Sequence, residues 1–249
     1  MASLSTKTVF PIEDAHPSKK SFTRILTVDI GGSNIKILAT GQTEPRKRRS
    51  GRNLTPAKMV EIVRELAEGW DYEAVSIGYP GLVGDQGPSS EPGNLGAGWV
   101  GFDFSSAFGL PVRIINDADM QALGSYEGGR MLFLGLGTGL GSALITEEFI
   151  LTLELGHLPY KRGETLGETL GRQGLKRLGK VAWRRAVMDI APTLMKAFLA
   201  DSLVLGGGNA KKLKKLPPGV RLGHNLTAFR GGFRLWNIED TQTLSTDNT

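Results

Sequence analysis

The chain has 249 residues, enough for one large domain or two lobes of about 100–150 residues each. Hydrophobic residues make up 40% and charged residues 22%, an ordinary globular balance, and the net charge of +5 is mild. The lack of cysteine excludes disulfides, cysteine-based zinc sites and thiol nucleophiles, and the lack of a long apolar run or signal-peptide core predicts a cytoplasmic protein with no membrane partner.

Residues 1–21 mix Ser, Thr, Lys, Pro and His without periodicity and read as a flexible N-terminal arm. A first α/β lobe is expected over 22–117. It opens with a strand at 25–28, a glycine turn, and a hairpin partner at 35–39. The basic stretch 45–52 reads as a loop. Thr55-Pro56 caps and starts a helix to about residue 69, with Met59, Ile62, Val63 and Leu66 on one face. Strands follow at 74–77, leading into Gly78-Tyr-Pro-Gly81, and at 112–115, delivering Asn116 and Asp117.

A second α/β lobe is expected over 118–236. Strand, glycine turn and strand recur at 131–145, helices are predicted from about 165 and over 181–199, and a strand at 202–205 runs into Gly206-Gly-Gly-Asn209 and a short helix. Residues 237–249 read as a polar tail. Alternating strands and helices with ligand turns at strand ends indicate an α/β fold, and two such halves imply a central cleft.

The chemistry concentrates in the two turns, Asp29-Ile-Gly-Gly-Ser-Asn-Ile-Lys36 and Leu134-Gly-Leu-Gly-Thr-Gly-Leu-Gly-Ser142. Glycines there let backbone N–H groups close on an anionic ligand. Neither turn fits a dinucleotide fingerprint: Leu140 stands where the third glycine is required, and the Gly-Lys-Ser/Thr of a P-loop is absent. Two such turns with an Asn-Asp pair between them suggest a chain that grips a polyphosphate and carries a base beside it.

Taken together, Asp29-Ile-Gly-Gly-Ser-Asn-Ile-Lys36, Gly78-Tyr-Pro-Gly81, Asn116-Asp-Ala-Asp119, Gly135-Leu-Gly-Thr-Gly139, Glu154-Leu-Gly-His157 and Leu205-Gly-Gly-Gly-Asn209 stand in the order found in ROK-family sugar kinases. The chain resembles the glucokinase and polyphosphate-glucokinase branch over residues 24–236. This implies the two-lobed actin-like ATPase fold of hexokinase and Hsp70, and transfer of a phosphoryl group from ATP or inorganic polyphosphate to the 6-hydroxyl of glucose. Mg²⁺ would assist and a homodimer is implied. Many ROK proteins bind zinc through a cysteine-rich motif after Glu-x-Gly-His; without cysteines no zinc is expected here, and His157 would orient a sugar hydroxyl instead. Twenty-eight residues without helical periodicity precede Asp29, so no helix-turn-helix and no nucleic-acid partner are expected.

The resemblance carries roles onto individual residues. Asp117 would be the general base that takes the sugar hydroxyl proton as the P–O bond forms; the plainer alternative is an Asx turn or helix cap at this strand end. Asp29 would hold Mg²⁺ directly or through water. Gly31, Gly32, Ser33, Asn34 and Lys36 would contact terminal phosphates, with Gly137, Thr138 and Gly139 as the second phosphate turn. Asn94, Asn116, Asp117, Glu154, His157 and Glu168 are the sugar candidates, with Glu164 competing for the place of Glu168. Trp99, Phe102 and Phe104 fit a core better than a sugar platform. Gly207, Gly208 and Asn209 would approach the donor, and Lys211 and Lys212 open a basic strip that could track polyphosphate or be a solvated face. The alternatives are a kinase for an N-acetylated amino sugar or fructose, and a non-catalytic sugar sensor on the same fold.

Overall fold

The computed structural model describes residues 9–11, 22–224 and 226–236. The rest of the expected arm and the expected tail lie outside them. The strands are β1 Val9–Pro11, β2 Ile25–Ile30, β3 Asn34–Ala39, β4 Arg46–Arg49, β5 Ala74–Tyr79, β6 Val83–Gly84, β7 Gly87–Pro88, β8 Val112–Asn116, β9 Met131–Leu136, β10 Leu140–Ile145, β11 Phe149–Leu153, β12 Ser202–Gly206 and β13 Val220–Leu222. The helices are α1 Pro56–Leu66, α2 Phe104–Phe108, α3 Asp117–Ser125, α4 Leu166–Leu170, α5 Arg172–Ala197 and α6 Thr227–Arg234.

These elements divide into two compact units. The first holds residues 22–120 and 228–236, and the second holds 9–11, 121–224 and 226–227. Reading order alone would place the last helix with the second half. Instead it packs on the first unit because two sheet hydroxyls reach its carbonyls: Thr27 Oγ1 donates to Phe229 O at 3.4 Å and Ser76 Oγ to Gly232 O at 2.5 Å. Trp236 Nε1 donates back to Ser76 Oγ at 2.8 Å, and the indole is buried against Ile25 and Ala74.

The first unit is built on a five-stranded sheet ordered β4-β3-β2-β5-β8. β2, β5 and β8 run parallel, and β3 and β4 return antiparallel. All six residues of β2 and of β5 are buried, as expected of central strands covered on both faces. Thr55 accepts from Lys58 N at the start of α1, whose Met59, Ile62 and Val63 join the core as the periodicity predicts. Trp99 and Phe104 are buried in the same core, with Trp99 Nε1 on Gly96 O at 2.8 Å.

Residues 46–49, read as a loop, form the edge strand β4. A run of four charges hides strand character because an edge strand needs only its backbone to pair, and charged side chains suit an exposed edge. The second unit repeats the plan as a six-stranded sheet, β1-β11-β10-β9-β12-β13, with β9 and β12 parallel. The strand at Val9–Pro11, inside the expected arm, pairs antiparallel with β11. α5 covers its core with Trp183, Val187 and Leu194, and is broken at Gly179, where φ is +73°.

Candidate active site

In the first unit three parallel strands bring their carboxyl ends together. Register sets Asp29 of β2 beside Gly78 of β5, and Tyr79 beside Asn116 of β8. α3 then begins at Asp117 with no intervening loop. Asn116 makes that abrupt change possible. Its Oδ1 accepts from Ala118 N at 2.8 Å and Asp119 N at 3.4 Å, capping the helix, while its Nδ2 donates to Gly81 O at 3.0 Å. The amide expected to meet sugar is therefore committed to the backbone, and it fixes both the Gly78–Gly81 turn and the start of α3.

The next residue is Asp117. Burial raises its pKa from the ordinary carboxyl value, the negative charge of Asp29 and then of Asp119 adds to this, and the Ala118 N–H pulls the other way. The result is a carboxyl near pH 7, at about 7. Its backbone is pressed against β5: a Cβ on Gly78 would lie 3.6 Å from the Asp117 Cα and 2.3 Å from Met120 Cε. Asp29 is only 9% exposed, and its Oδ2 receives Lys36 Nζ at 2.9 Å from the facing strand.

The first glycine turn joins β2 to β3. Gly31 N donates to Asn34 O at 2.9 Å, which closes the turn, while the N–H groups of Gly32 and Ser33 engage no acceptor among the described residues. Asn94 lies over this turn, since a Cβ on Gly32 would fall 2.4 Å from its Nδ2. The loop that carries Asn94 also contains Glu91, a residue the sequence did not single out. Glu91 closes the loop by accepting from Trp99 N and Val100 N, each at 3.2 Å. Burial would raise its pKa, but these N–H groups and that of Gly98 hold it below the usual range. No spacing or motif marks Glu91; only the closed loop shows its role.

The second unit presents the other turn, between β9 and β10. Gly137 N is shared between Gly135 O at 3.0 Å and Gly139 O at 3.2 Å, and Thr138 and Gly139 are exposed. Two neighbours buttress it. Arg172 N, at the start of α5, donates to Thr138 O at 3.2 Å. Asn209 Nδ2 donates to Gly137 O at 3.2 Å, and its own N–H reaches Leu136 O at 3.0 Å. Gly207 allows that approach: its φ is +79°, and a Cβ would stand 2.7 Å from the Leu136 backbone. Gly208 is exposed with open space around it, Lys212 Nζ is held by Asn209 Oδ1 at 3.0 Å, and Lys211 is exposed.

The remaining sugar candidates are more solvated. Glu154 precedes and His157 ends a short 3-10 turn, both exposed, with His157 Nε2 at 3.8 Å from Glu154 Oε2. Glu168 is the closing member of a capping box: Thr165 N donates to its Oε2 at 2.8 Å, and its own N–H donates to Thr165 Oγ1 at 3.2 Å. Its competitor Glu164 is also engaged, accepting from Thr169 Oγ1 at 3.0 Å and Arg177 at 2.6 Å.

Asp29 is a hard oxygen donor of the kind Mg²⁺ takes alongside water and phosphate oxygens. Its negative charge adds to the burial that raises Asp117, and a divalent cation at Asp29 would offset that charge, so the residue fits Mg²⁺. Among the described residues no group of three or more His, Asp or Glu side chains could hold a metal, and no helix is long and apolar enough to cross a membrane.

No curated protein matches the chain. Solved structures do. The inorganic polyphosphate/ATP-glucomannokinase of Arthrobacter sp. strain KM superposes with a TM-score of 0.74 at 22% identity, covering 86% of this chain and 98% of that one. A ROK family glucokinase from Streptomyces griseus, solved with glucose and AMPPNP, gives 0.62 at 18% identity over 86% and 98%. A ROK family transcriptional regulator gives 0.65 at 15% identity, over 86% of this chain and 77% of that one. The shared architecture is the actin-like ATPase fold. The ROK family model matches residues 25–168, more than half of the sequence, and the chain belongs to the ROK family.

Proposed function

We propose that this chain is a sugar kinase that transfers the terminal phosphoryl group of ATP or inorganic polyphosphate to the 6-hydroxyl of glucose. One observation carries the reading: Asp117, its pKa raised to about 7, stands at the strand ends beside Asp29 and the first glycine turn. A phosphoryl acceptor needs its hydroxyl proton removed, and a base is most effective when its pKa lies near the working pH. A sensor that only binds sugar has no use for this pair of carboxylates.

In the proposed reaction the Asp117 carboxylate accepts the proton of the sugar hydroxyl. That oxygen forms the new bond to phosphorus, the bond to the donor's leaving oxygen breaks, and the leaving group departs with that electron pair. The N–H groups of Gly32 and Ser33 hold the terminal phosphate, and Asn94, lying over the same turn, orients the sugar. Asn116 acts through the backbone, placing Asp117 at its strand end. Mg²⁺, held by Asp29, would neutralise phosphate charge. In the second unit Gly137, Thr138 and Gly139 supply a second phosphate turn, with Gly207, Gly208 and Asn209 behind it. Glu154 and His157, both exposed, are the sugar-contact candidates of that unit.

The test is product formation from glucose with magnesium, offering ATP and long-chain polyphosphate separately. Glucose 6-phosphate from either donor supports the reading and identifies the donor. Its absence with both, from folded protein, overturns glucose as substrate; a screen of mannose, fructose and N-acetylated amino sugars then separates a kinase for another hexose from a protein that only senses sugar.

A further inference from the structure

The basic edge strand β4 is the motif that this chemistry leaves unused. Its four side chains, Arg46, Lys47, Arg48 and Arg49, are all exposed, and the pleat divides them into two pairs. Arg46 donates to Leu66 O and Glu68 O, at 2.7 and 2.8 Å, and stacks 4.2 Å over the Trp70 ring. Arg48 pairs with Glu65. These two fasten the strand to the end of α1. Lys47 and Arg49 lie on the opposite face, and neither has an ion pair among the described residues.

Register shows what shares that face. Lys47 stands directly across from Lys36, Lys36 directly across from Asp29, and Arg49 across from Asn34 at the rim of the first glycine turn. Further back on the same face α6 covers the sheet at Thr27; Asp29, two residues on, lies past it. The row therefore begins at the carboxylate proposed to hold Mg²⁺ and continues as Lys36 and then Lys47 to the sheet edge. It spans two strand spacings, roughly 10 Å. The next residue, Ser50, gives its N–H to Ser33 O of the turn at 3.2 Å, and its buried hydroxyl has no hydrogen-bond partner among the described residues.

Resting on the kinase reading, we propose that Lys47 and Arg49, with Lys36, bind the distal phosphates of a linear inorganic polyphosphate whose terminal unit lies at the first glycine turn. The row offers successive cations and no aromatic surface for a purine, which matches a chain of repeated charges rather than a nucleoside. The other basic strip is less continuous: Lys212 is tied to Asn209 and Leu213 is buried, so Lys211 is separated from Lys214 and Lys215.

The experiment titrates fluorescently labelled long-chain polyphosphate into the full chain across a salt series, and measures KM for polyphosphate and for ATP. Lys47→Glu with Arg49→Glu is expected to weaken polyphosphate binding at least tenfold and flatten the salt slope by about two. The KM for ATP and kcat stay within twofold. Lys47→Gln with Arg49→Gln falls between, and Lys211→Glu with Lys215→Glu leaves binding within twofold. Unchanged polyphosphate binding in the reversed variant, an equal rise in the ATP KM, or equal loss of a single-stranded DNA of the same charge overturns the assignment. Polyphosphate binding with this dependence but no sugar turnover would leave the track standing and remove the kinase reading. Turnover with no effect at β4 would do the reverse.

Discussion

The two glycine turns have the same construction, strand, tight turn and strand, yet they carry different chemistry. The first is surrounded by charge. Asp29 precedes it, Lys36 follows it on the facing strand, and Asp117 stands close enough for the Asp29 charge to raise its pKa. The second is surrounded by backbone and amide: the N–H of Arg172, the side chain of Asn209 and the close approach of Gly207. Its carboxylates, Glu154, Glu164 and Glu168, are solvated or engaged in ion pairs and caps. A duplicated motif therefore need not mean a duplicated role. Charge gathers at the first turn, and backbone and amide ties at the second.

Asp29→Ala against Thr138→Ala probes this asymmetry with the largest expected effect. The first change is expected to lower kcat by about 100-fold or more and raise the magnesium requirement, because it removes the carboxylate proposed to hold the Mg²⁺ that would offset phosphate charge. The second is expected to cost less than tenfold. Equal losses in steady-state assays would show that both turns carry chemistry.

Stability should show the opposite weighting. Gly207→Ala forces a side chain into positive φ against the Leu136 backbone and should cost about 2–4 kcal/mol in urea unfolding. Gly208→Ala, with nothing within 4 Å, should cost under about 1 kcal/mol. Equal costs would deny the second turn its structural role.

The pH dependence sharpens the first turn further. Asp117 must be ionised to accept a proton, so kcat/KM for the wild type should fall about tenfold per unit on the acid side of its pKa, which is about 7 without metal and lower once Mg²⁺ offsets the Asp29 charge. Removing the neighbouring charge with Asp29→Asn should move that inflection to lower pH. The same group affects folding. Its native pKa lies above the unfolded value, so the native state binds the extra proton between about 4 and 7. Its contribution to stability is largest in acid and falls as pH rises through that window. Asp117→Asn should therefore melt above the wild type at pH 8, with the gap closing toward pH 4.

The smallest effect is expected at Glu168→Gln. If the carboxylate serves only the capping box, stability falls by under about 1 kcal/mol and the sugar KM stays within twofold. A tenfold rise in the sugar KM would return Glu168 to the sugar site.

Much of the frame was legible in the sequence because it rests on short-range signals. Apolar runs ending in glycine marked β2, β9 and β12, Thr55-Pro56 marked α1, and Asn116-Asp117 at a strand end marked the junction with α3. Elements that depend on distant partners were not. β4 reads as loop until β3 and the α1 carbonyls are known to lie beside it. α6 contains Gly231-Gly232, a breaker signal, but a Cβ on Gly232 would fall 2.3 Å from Thr27, so close packing selects the glycine. The candidate site divides in the same way. Motif order pointed to Asp29, Asp117 and both turns, and the strand-end Asn116-Asp117 pair also allowed the cap that Asn116 makes. Thr165-x-x-Glu168 carries the capping-box spacing, a signal that the sugar assignment passed over, whereas the tie made by Glu91 exists only as three-dimensional hydrogen bonds.

The most direct test of the account is Asp117→Ala, measured for glucose phosphorylation with the preferred donor and, separately, for glucose binding by calorimetry. Turnover is expected to fall by about 10³–10⁴ while the dissociation constant for glucose stays within about threefold. Turnover near that of the wild type would contradict it, because the proton would then leave the sugar without the carboxyl at the end of β8, the one poised near pH 7 among the described residues.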